Sequence, residues 1–232
     1  MKKVEQIKIE KALTVNELIN LMSKAGVMGS GRLSKAINIL EKMIKDRDCK
    51  VFFGQAGALV PGGMRNILAD FLRNKWTDVF VTTGATLTHD MSEALGFKHE
   101  IGNENANDAL LYKQGKDRMF DSYMPNQVYE KLEDFFEKNW EYFKKAEKIS
   151  ELLTLIGSKV KDKNSILRVA YENKIPIFCP ALSDSGIGLM IWGRKMKGKD
   201  IKIDAFEDMK DILDIAWTSR KSGVFYLGGG VP

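Results

Sequence analysis

Short apolar runs of four or five residues alternate along this chain with longer segments that have helical periodicity. Buried strands separated by helices are typical of a parallel sheet that is covered on both faces. The sequence therefore predicts an α/β fold with a Rossmann-like, doubly wound, mostly parallel sheet. The predicted strands are Cys49–Phe53, Asp78–Val81, Ile175–Cys179 and Val224–Leu227. The predicted helices that accompany them are Met64–Lys75, Gln127–Lys148, Ser150–Ile156, Ile166–Asn173 and Phe206–Lys221.

The N-terminal part of the chain has helical signals but no strand signal. Thr14 and Glu17 have the spacing of a capping box, and Gly26 is a typical helix stop. A second segment after this glycine again carries apolar residues at helical spacing. We predict a helical N-terminal extension over residues 1–45 and a Rossmann-like ligand-binding domain over residues 46–232.

The stretch Gly96–Pro125 follows neither the helix nor the strand pattern. It carries Asn103, Asn105 and Asn107 together with two internal glycines. Clusters of asparagine and glycine favour turns over regular elements. Because loops of this length are usually functional, we expect a long loop or excursion close to the functional site.

The composition excludes several classes of protein. Hydrophobic residues make up 44% of the chain and charged residues 29%, which is ordinary for a folded soluble domain. No apolar run approaches the ~20 residues of a membrane span, and the N-terminus lacks the apolar core of a secretory signal. The net charge is +5, but the basic residues are interleaved with 31 acidic ones, as on solvated helix faces. We therefore predict neither nucleic acid nor membrane as a partner.

The counts of cysteine and histidine point to a reducing compartment and to no bound metal. Cys49 and Cys179 are too few for a disulfide framework and fit the cytoplasm. The chain has two histidines, His89 and His99. Two cysteines and two histidines together argue against a structural zinc site. We therefore predict a cytoplasmic protein without a metal.

All four predicted strands end in glycines and small polar residues. These ends are residues 54–63, 82–86, 181–188 and 228–230. Small residues let a ligand approach the backbone, and hydroxyl and amide groups donate to phosphate. In open α/β sheets ligands bind beyond the carboxyl ends of the strands, so the four ends together predict a nucleotide or dinucleotide crevice. None of them is a standard phosphate-binding fingerprint, and for any single loop the alternative is a simple turn.

Three side chains near these ends are candidates for chemistry. Asp184 follows the third strand and could accept bonds from ribose hydroxyls, or it could cap a helix or form a turn. His89 and Asp90 follow the second strand and could form an acid–base pair or contact a substrate amine. The alternative for this pair is a surface histidine beside a helix-start aspartate.

Taken in order, these loops resemble the deoxyhypusine synthase family, and the resemblance extends from about Thr14 to Pro232. Each matching piece is weak alone, whereas the combination is specific. The matching stretches are Phe53-Gly54 through Gly63-Met64-Arg65, Val79–Ala85, Tyr123–Asn126, Ile175–Asp184 and Leu227–Val231.

The resemblance implies a Rossmann-like fold, a homotetramer and NAD bound tightly at a subunit interface. In the implied reaction NAD oxidises spermidine, and a lysine of the enzyme captures the aminobutyl group as an imine. The group then passes to a lysine of translation initiation factor 5A, and the stored hydride reduces the product. The resemblance also implies positions for these ligands. Those near NAD are Gly57, Ala58, Gly62, Thr83, Gly84, Ala85, Asp184, Gly228 and Gly229, and those near the substrate are His89, Asp90 and Gly186.

Three departures from the eukaryotic pattern of the family concern the substrate. Gly57-Ala58 replaces a Ser-Asn pair, Thr88-His89 replaces a pair of glutamates, and Leu189 replaces an aspartate. Carboxylates are the usual partners of a polyamine ammonium group, so their loss changes what the site can hold. The motifs are more similar to a bacterial and archaeal branch, some of whose members join two small amines. A small-amine acceptor is therefore the second hypothesis.

A third hypothesis is a non-catalytic, NAD-binding partner chain of a split enzyme. In the family the nucleophilic lysine lies downstream of the triple glycine, which here is followed by Val231 and Pro232. We expect this lysine downstream of Pro232 or on a second C-terminal polypeptide, and we predict that this chain alone is inactive. His89 is then the one candidate catalytic residue within the chain.

Overall fold

A computed structural model describes residues 1–9 and 12–230, so Val231 and Pro232 of the predicted glycine loop lie outside the described residues. The chain divides into two compact units, residues 1–49 and residues 50–232. In the parts of the chain that are described, no helix combines the length and the apolar character that a membrane span needs.

The first unit is built from two helices, α1 (Val15–Ala25) and α2 (Met28–Lys45). The capping box is present, because Thr14 Oγ1 accepts from Glu17 N at 3.2 Å and Glu17 Oε2 accepts from Thr14 N at 2.8 Å. Gly26 ends α1 with a φ of 69°, a conformation that glycine adopts without strain. Both helices lie within residues 1–45, for which a helical N-terminal extension is predicted.

The second unit contains a four-stranded sheet and eight helices among its described residues. The strands of this sheet are β1 (Cys49–Gln55), β2 (Val79–Thr82), β6 (Ile177–Phe178) and β7 (Lys221–Leu227). A second, smaller sheet contains β3 (Glu100–Ile101), β4 (Lys116–Met119) and β5 (Ser122–Pro125). The helices are α3 (Arg65–Arg73), α4 (Gly84–Ala94), α5 (Asp108–Lys113), α6 (Gln127–Phe143), α7 (Ile149–Lys159), α8 (Ile166–Asn173), α9 (Gly186–Met196) and α10 (Ala205–Thr218), with a short wide helical turn at Val60–Met64.

The strand order of the main sheet is β6-β2-β1-β7. Strand β2 pairs in parallel with both β1 and β6. Ala56 N, just after β1, donates to the carbonyl of Leu227 at the end of β7, at 3.0 Å, so β1 and β7 also end at the same edge. The chain thus runs outward from β1 through β2 to β6 and then returns to the other side of β1 as β7. The predicted doubly wound, mostly parallel sheet is confirmed.

Both faces of the sheet are covered. Phe52 and Phe53 are consecutive residues of β1, so their side chains point to opposite faces. Phe53 belongs to the large core that includes Leu68 of α3, whereas Phe52 packs in a smaller cluster against which Ile212 of α10 lies. Apolar residues on both faces explain why the strands read as continuous apolar runs in the sequence.

The prediction of a long loop over Gly96–Pro125 is wrong in one respect, because this segment folds into the small antiparallel sheet and α5. Its strands have only two to four residues, and β3 and β4 carry charged side chains, so the segment lacks the apolar alternation that reveals a half-buried strand. They are held by polar contacts instead. The guanidinium of Arg118 in β4 contacts both carboxylate oxygens of Asp108, at 2.6 and 2.9 Å, which ties the sheet to α5.

Candidate functional site

The strand order reverses between β1 and β7, and their carboxyl ends meet there. Gly57 follows β1 with a φ of 85°, and Gly228 follows β7 with a φ of 80°. A Cβ atom on Gly228 would lie 2.2 Å from the carbonyl oxygen of Ala56, so only glycine allows these two chain segments to approach. In doubly wound sheets, a crevice for a ligand opens at the carboxyl edge where the order reverses.

A buried polar network fixes the loop after β1. Thr82 Oγ1 lies 2.9 Å from Gln55 Oε1 and 3.0 Å from the Gln55 carbonyl, and both side chains are fully buried. Gln55 Nε2 in turn donates to the carbonyl of Gly57 at 3.3 Å. Because buried amide and hydroxyl groups are costly to leave unpaired, this network holds the start of the glycine loop against β2.

Two helices begin directly at this edge of the sheet. Thr83 follows β2 and caps α4, with its Oγ1 accepting from Thr86 N at 3.3 Å. Ser185 follows β6 and caps α9, with its Oγ accepting from Gly188 N at 3.0 Å. The free N–H groups and the positive end of the dipole make each helix start a favourable place for phosphate.

Glycines bring these two helix starts together. A Cβ atom on Gly84 would lie 2.5 Å from the side chain of Ser185. Gly186 is buried, and a Cβ atom there would lie 2.6 Å from Thr88 Cγ2. Ile187 N also donates to Thr88 Oγ1 at 3.3 Å, which joins the first turn of α9 to the second turn of α4. Gly186, predicted near the substrate, is thus placed between the two helices.

The structure brings most of the predicted cofactor positions to this edge. Thr83 and Gly84 are half-buried or buried in the start of α4. The exposed ones are Gly57, Ala58, Gly62, Ala85, Asp184, Gly228 and Gly229. The arrangement of open glycine backbone, two helix starts and one exposed carboxylate fits the phosphates and ribose hydroxyls of a dinucleotide.

Asp90, predicted as a substrate contact, instead lies in the interior with no exposed surface. Its Oδ1 accepts from Arg65 Nε at 2.7 Å and from Ile166 N at 3.0 Å. Its Oδ2 accepts from Ser165 Oγ at 2.7 Å and from Leu167 N at 3.1 Å. All its acceptor positions are used to fasten α3 and the start of α8 to α4, so the carboxylate is not open to a substrate.

The partner of Asp90 is also buried. Burial on its own would lower the pKa of Arg65, but the carboxylates of Asp90 and Asp162 raise it. Arg65 Nη1 contacts Asp162 Oδ2 at 2.8 Å. The guanidinium therefore stays charged, and its two carboxylates offset the cost of removing it from water.

His89 is half-buried on α4 and belongs to a chain of three side chains. Its Nδ1 lies 3.0 Å from Nε2 of His99, and Nδ1 of His99 lies 2.9 Å from Oε1 of Glu93. Burial, and then the neighbouring His99, lower the pKa of His89 to about 4. His89 is therefore neutral near pH 7. Neither His99 nor Glu93 was predicted, although Glu93 has the helical spacing of four residues from His89 that brings side chains onto one face.

A cavity of about 490 Å³ lies between the glycine loop and two of these three side chains, His99 and Glu93. It is lined by Ala58 and Gly62 on one side and by His99 and Glu93 on another. Residues 119–122 of the small antiparallel sheet also line it, so this excursion does lie close to the candidate site. In the described part of the chain no group of three His, Cys, Asp or Glu side chains is arranged to hold a metal ion.

Comparison with known proteins identifies the family. The family model of deoxyhypusine synthase matches residues 17–232. The chain belongs to the deoxyhypusine synthase family. This family member is 41% identical over 230 residues to the probable deoxyhypusine synthase 1 of Methanosarcina mazei, a match that covers 99% of this chain and 72% of the relative. It is 39% identical over 222 residues to the probable deoxyhypusine synthase 2 of Archaeoglobus fulgidus, covering 91% and 70%.

A solved structure supports the fold of this deoxyhypusine synthase family member. A crystal structure from Entamoeba histolytica, described as a deoxyhypusine synthase, superposes with a TM-score of 0.69 at 23% identity. The match covers 98% of this chain and 82% of that chain. The family consists of transferases, which agrees with the predicted class of enzyme.

Proposed function

We propose that this family member takes part in NAD-dependent transfer of an aminobutyl group from spermidine to a lysine of translation initiation factor 5A. The observation that supports this most strongly is the reversal of strand order at β1 and β7, where the glycine loops and two helix starts meet at one edge. Family membership supplies the reaction, and the edge supplies a place for the dinucleotide.

Different residues of this edge bind different parts of NAD in this proposal. The backbone around Gly57, Gly84 and Gly228 accommodates the pyrophosphate. A Cβ atom at Gly84 or Gly228 would collide with Ser185 or with the carbonyl of Ala56, so glycine at these two positions keeps the segments that form the edge close together. The helix starts at Thr83 and Ser185 stabilise its charge. The exposed carboxylate of Asp184 accepts bonds from ribose hydroxyls. When bound, NAD supplies a hydride acceptor for the amine.

His89 is the proposed contact of the substrate amine. It lies one helical turn after Ala85, so its side chain is on the face of α4 that starts at the dinucleotide edge. A neutral imidazole can accept a proton from an ammonium group. A pair of carboxylates would instead bind the ammonium group in its charged form. Spermidine or a related polyamine is the substrate class that this contact suits.

The acceptor has a second candidate. Thr88-His89 and Leu189 stand where carboxylates occur in eukaryotic members, and the motifs are more similar to a branch some of whose members join two small amines, which supports a small amine as the acceptor. A role as a non-catalytic NAD-binding chain is the third candidate. By family resemblance we also propose a homotetramer in the cytoplasm.

One labelling experiment separates these candidates. The chain is purified from its own cells through an affinity tag, so that any polypeptide that accompanies it is included, and is incubated with NAD, labelled spermidine and factor 5A. Label on the lysine of factor 5A is the expected result. Label only in free polyamine would establish the small-amine acceptor, and bound NAD without any transfer would establish the non-catalytic role. A factor 5A variant with arginine at the modified lysine is the matched control.

A further inference from the structure

The two histidines of the chain, both described by the structure, contact each other next to a carboxylate. The three groups form a line in which Glu93 Oε1 contacts His99 Nδ1 at 2.9 Å and His99 Nε2 contacts His89 Nδ1 at 3.0 Å. The carboxylate also accepts from the backbone N of His99 at 3.1 Å and from Lys98 Nζ at 2.7 Å. His99 is therefore fixed in place by two contacts to Glu93.

The contacts determine which ring nitrogens carry protons. Burial would raise the pKa of Glu93, but its bonds from Lys98 and His99 lower it, so Glu93 is ionised and can only accept. His99 Nδ1 must then be the donor, and in a neutral ring its Nε2 is an acceptor. His89 Nδ1 must in turn donate to that acceptor, which leaves His89 Nε2 without a proton.

This unprotonated nitrogen has no hydrogen-bond partner among the described residues. Among those residues, the one fully buried side-chain nitrogen or oxygen atom without a partner is Ser92 Oγ. His89 Nε2 is therefore not fully enclosed, and His89 itself is half-buried. Ala85, one turn earlier in α4, is exposed at the edge where the cofactor is proposed to lie.

We propose that Glu93 and His99 are positioning residues that hold His89 with its Nε2 lone pair free to take a proton from a substrate ammonium group. The inference rests on the proposed function for the identity of the substrate, an amine that is cationic at neutral pH. The inference gives a role to Glu93, which lies in α4, and to His99, which lies in the segment after α4.

The proton transfer balances within the three residues. The N–H bond of the substrate ammonium breaks, its electron pair stays on nitrogen, and the proton joins His89 Nε2. The Nδ1 proton of His89 moves to His99 Nε2, so His89 ends neutral and His99 carries the positive charge. That charge lies 2.9 Å from the Glu93 carboxylate. Glu93, which lines the 490 Å³ cavity together with His99, can take the Nδ1 proton of His99 and release it to water there, which leaves His99 neutral.

This transfer explains how a histidine with a low pKa can act as a base. Burial makes a lasting charge on His89 unfavourable, whereas a charge passed to His99 is compensated by Glu93. The other charged groups near α4 are engaged separately. Arg65 pairs with Asp90 at 2.7 Å, and the start of α9, which packs on α4, carries no charged residue through Met190. Tyr129 of α6 lies beside Gly186 at the start of α9, and burial raises the pKa of this tyrosine.

Nitrogen-15 NMR of the imidazole rings tests the proposal without any cofactor. Because the chain has two histidines, a sample labelled in histidine gives two sets of ring signals, and the variant His99→Gln assigns them. At about pH 8 the contacts with Glu93 and between the two rings require both rings to be protonated at Nδ1 and bare at Nε2. Protonation of His89 at Nε2 in the unmodified chain would overturn the proposal, even if every variant failed to fold.

Two glutamate variants provide the comparison. Glu93→Ala is expected to shift the tautomers of both rings, and the matched control Glu172→Ala, which removes a carboxylate paired with Arg168 on α8, is expected to shift neither. A change confined to His99 in Glu93→Ala would contradict the chain of contacts. In the labelling assay Glu93→Ala is expected to lower kcat roughly a hundredfold with little change in KM. Correct tautomers with no amine transfer would refute the proposed function and leave the tautomer assignment intact.

Discussion

Replacing Asp90 with alanine is expected to lower the free energy of unfolding by about 3 to 5 kcal/mol, because it leaves a buried charge without its closest partner. The variant removes the carboxylate that contacts Arg65 Nε at 2.7 Å in a region with no exposed surface. It also removes the acceptors for Ile166 N and Leu167 N, so the first turn of α8 loses its anchor on α4. Unfolding in urea, followed by circular dichroism, measures the change.

Asp70→Ala is the matched control for this prediction. Asp70 also pairs with an arginine, Arg73, but both side chains are largely exposed on α3. Exposed ion pairs contribute about 0 to 1 kcal/mol, so this variant is expected to unfold at nearly the same urea concentration as the unmodified chain. If Asp90→Ala were no more destabilising than Asp70→Ala, the structural role of Asp90 would be refuted and a ligand role would have to be reconsidered.

Replacing Ala85 with glutamate is expected to weaken NAD binding at least tenfold, which corresponds to about 1.4 kcal/mol. Ala85 is exposed in the first turn of α4, a turn with no acidic residue. A carboxylate there would occupy the positive end of the helix, where the pyrophosphate is proposed to lie, and would repel it. The same substitution favours the helix itself, so weaker binding could not be attributed to unfolding.

The neutral variant Ala85→Gln separates charge from size. Its side chain has nearly the same volume as glutamate but does not repel phosphate. We expect a smaller loss of affinity than in Ala85→Glu, measured by calorimetric titration with NAD. Equal affinities in the two variants would contradict the placement of the pyrophosphate at the start of α4.

Strands β1, β2 and β6 could be predicted from the sequence because residues on both of their faces are buried. Each apolar run led to a strand of the main sheet, although the bounds moved by a few residues. Strand β1 continues through Gln55, since the polar side chain is satisfied inside the protein by Thr82. A buried, hydrogen-bonded glutamine gives no signal in an apolar pattern.

Helices α4 and α9 could not be recognised in the same way. The residues at their starts are glycine, serine and threonine, which have low helix propensity and are typical of loops. Their stability comes from the caps of Thr83 and Ser185 and from the close packing that Gly84 and Gly186 allow. These interactions depend on the tertiary structure, and the departure from propensity occurs where the ligand site is proposed.

The environment of His89 was also beyond prediction. His99 reaches His89 because the chain turns back after α4 at Gly96, whose φ is 96°. Nothing in the sequence specifies the direction of that turn. The same limit applies to Asp90, whose partners come from α3 and from the start of α8.

Hydrogen exchange with and without NAD tests most directly whether the cofactor binds at the edge formed by β1, β7 and the starts of α4 and α9. We predict that NAD slows amide exchange in three segments of the chain, residues 56–63, 84–86 and 228–230. Helix α10, which covers one face of the sheet and contains none of these three segments, serves as the internal reference. Protection of α10 with none in those three segments, or no protection at saturating NAD, would contradict the account.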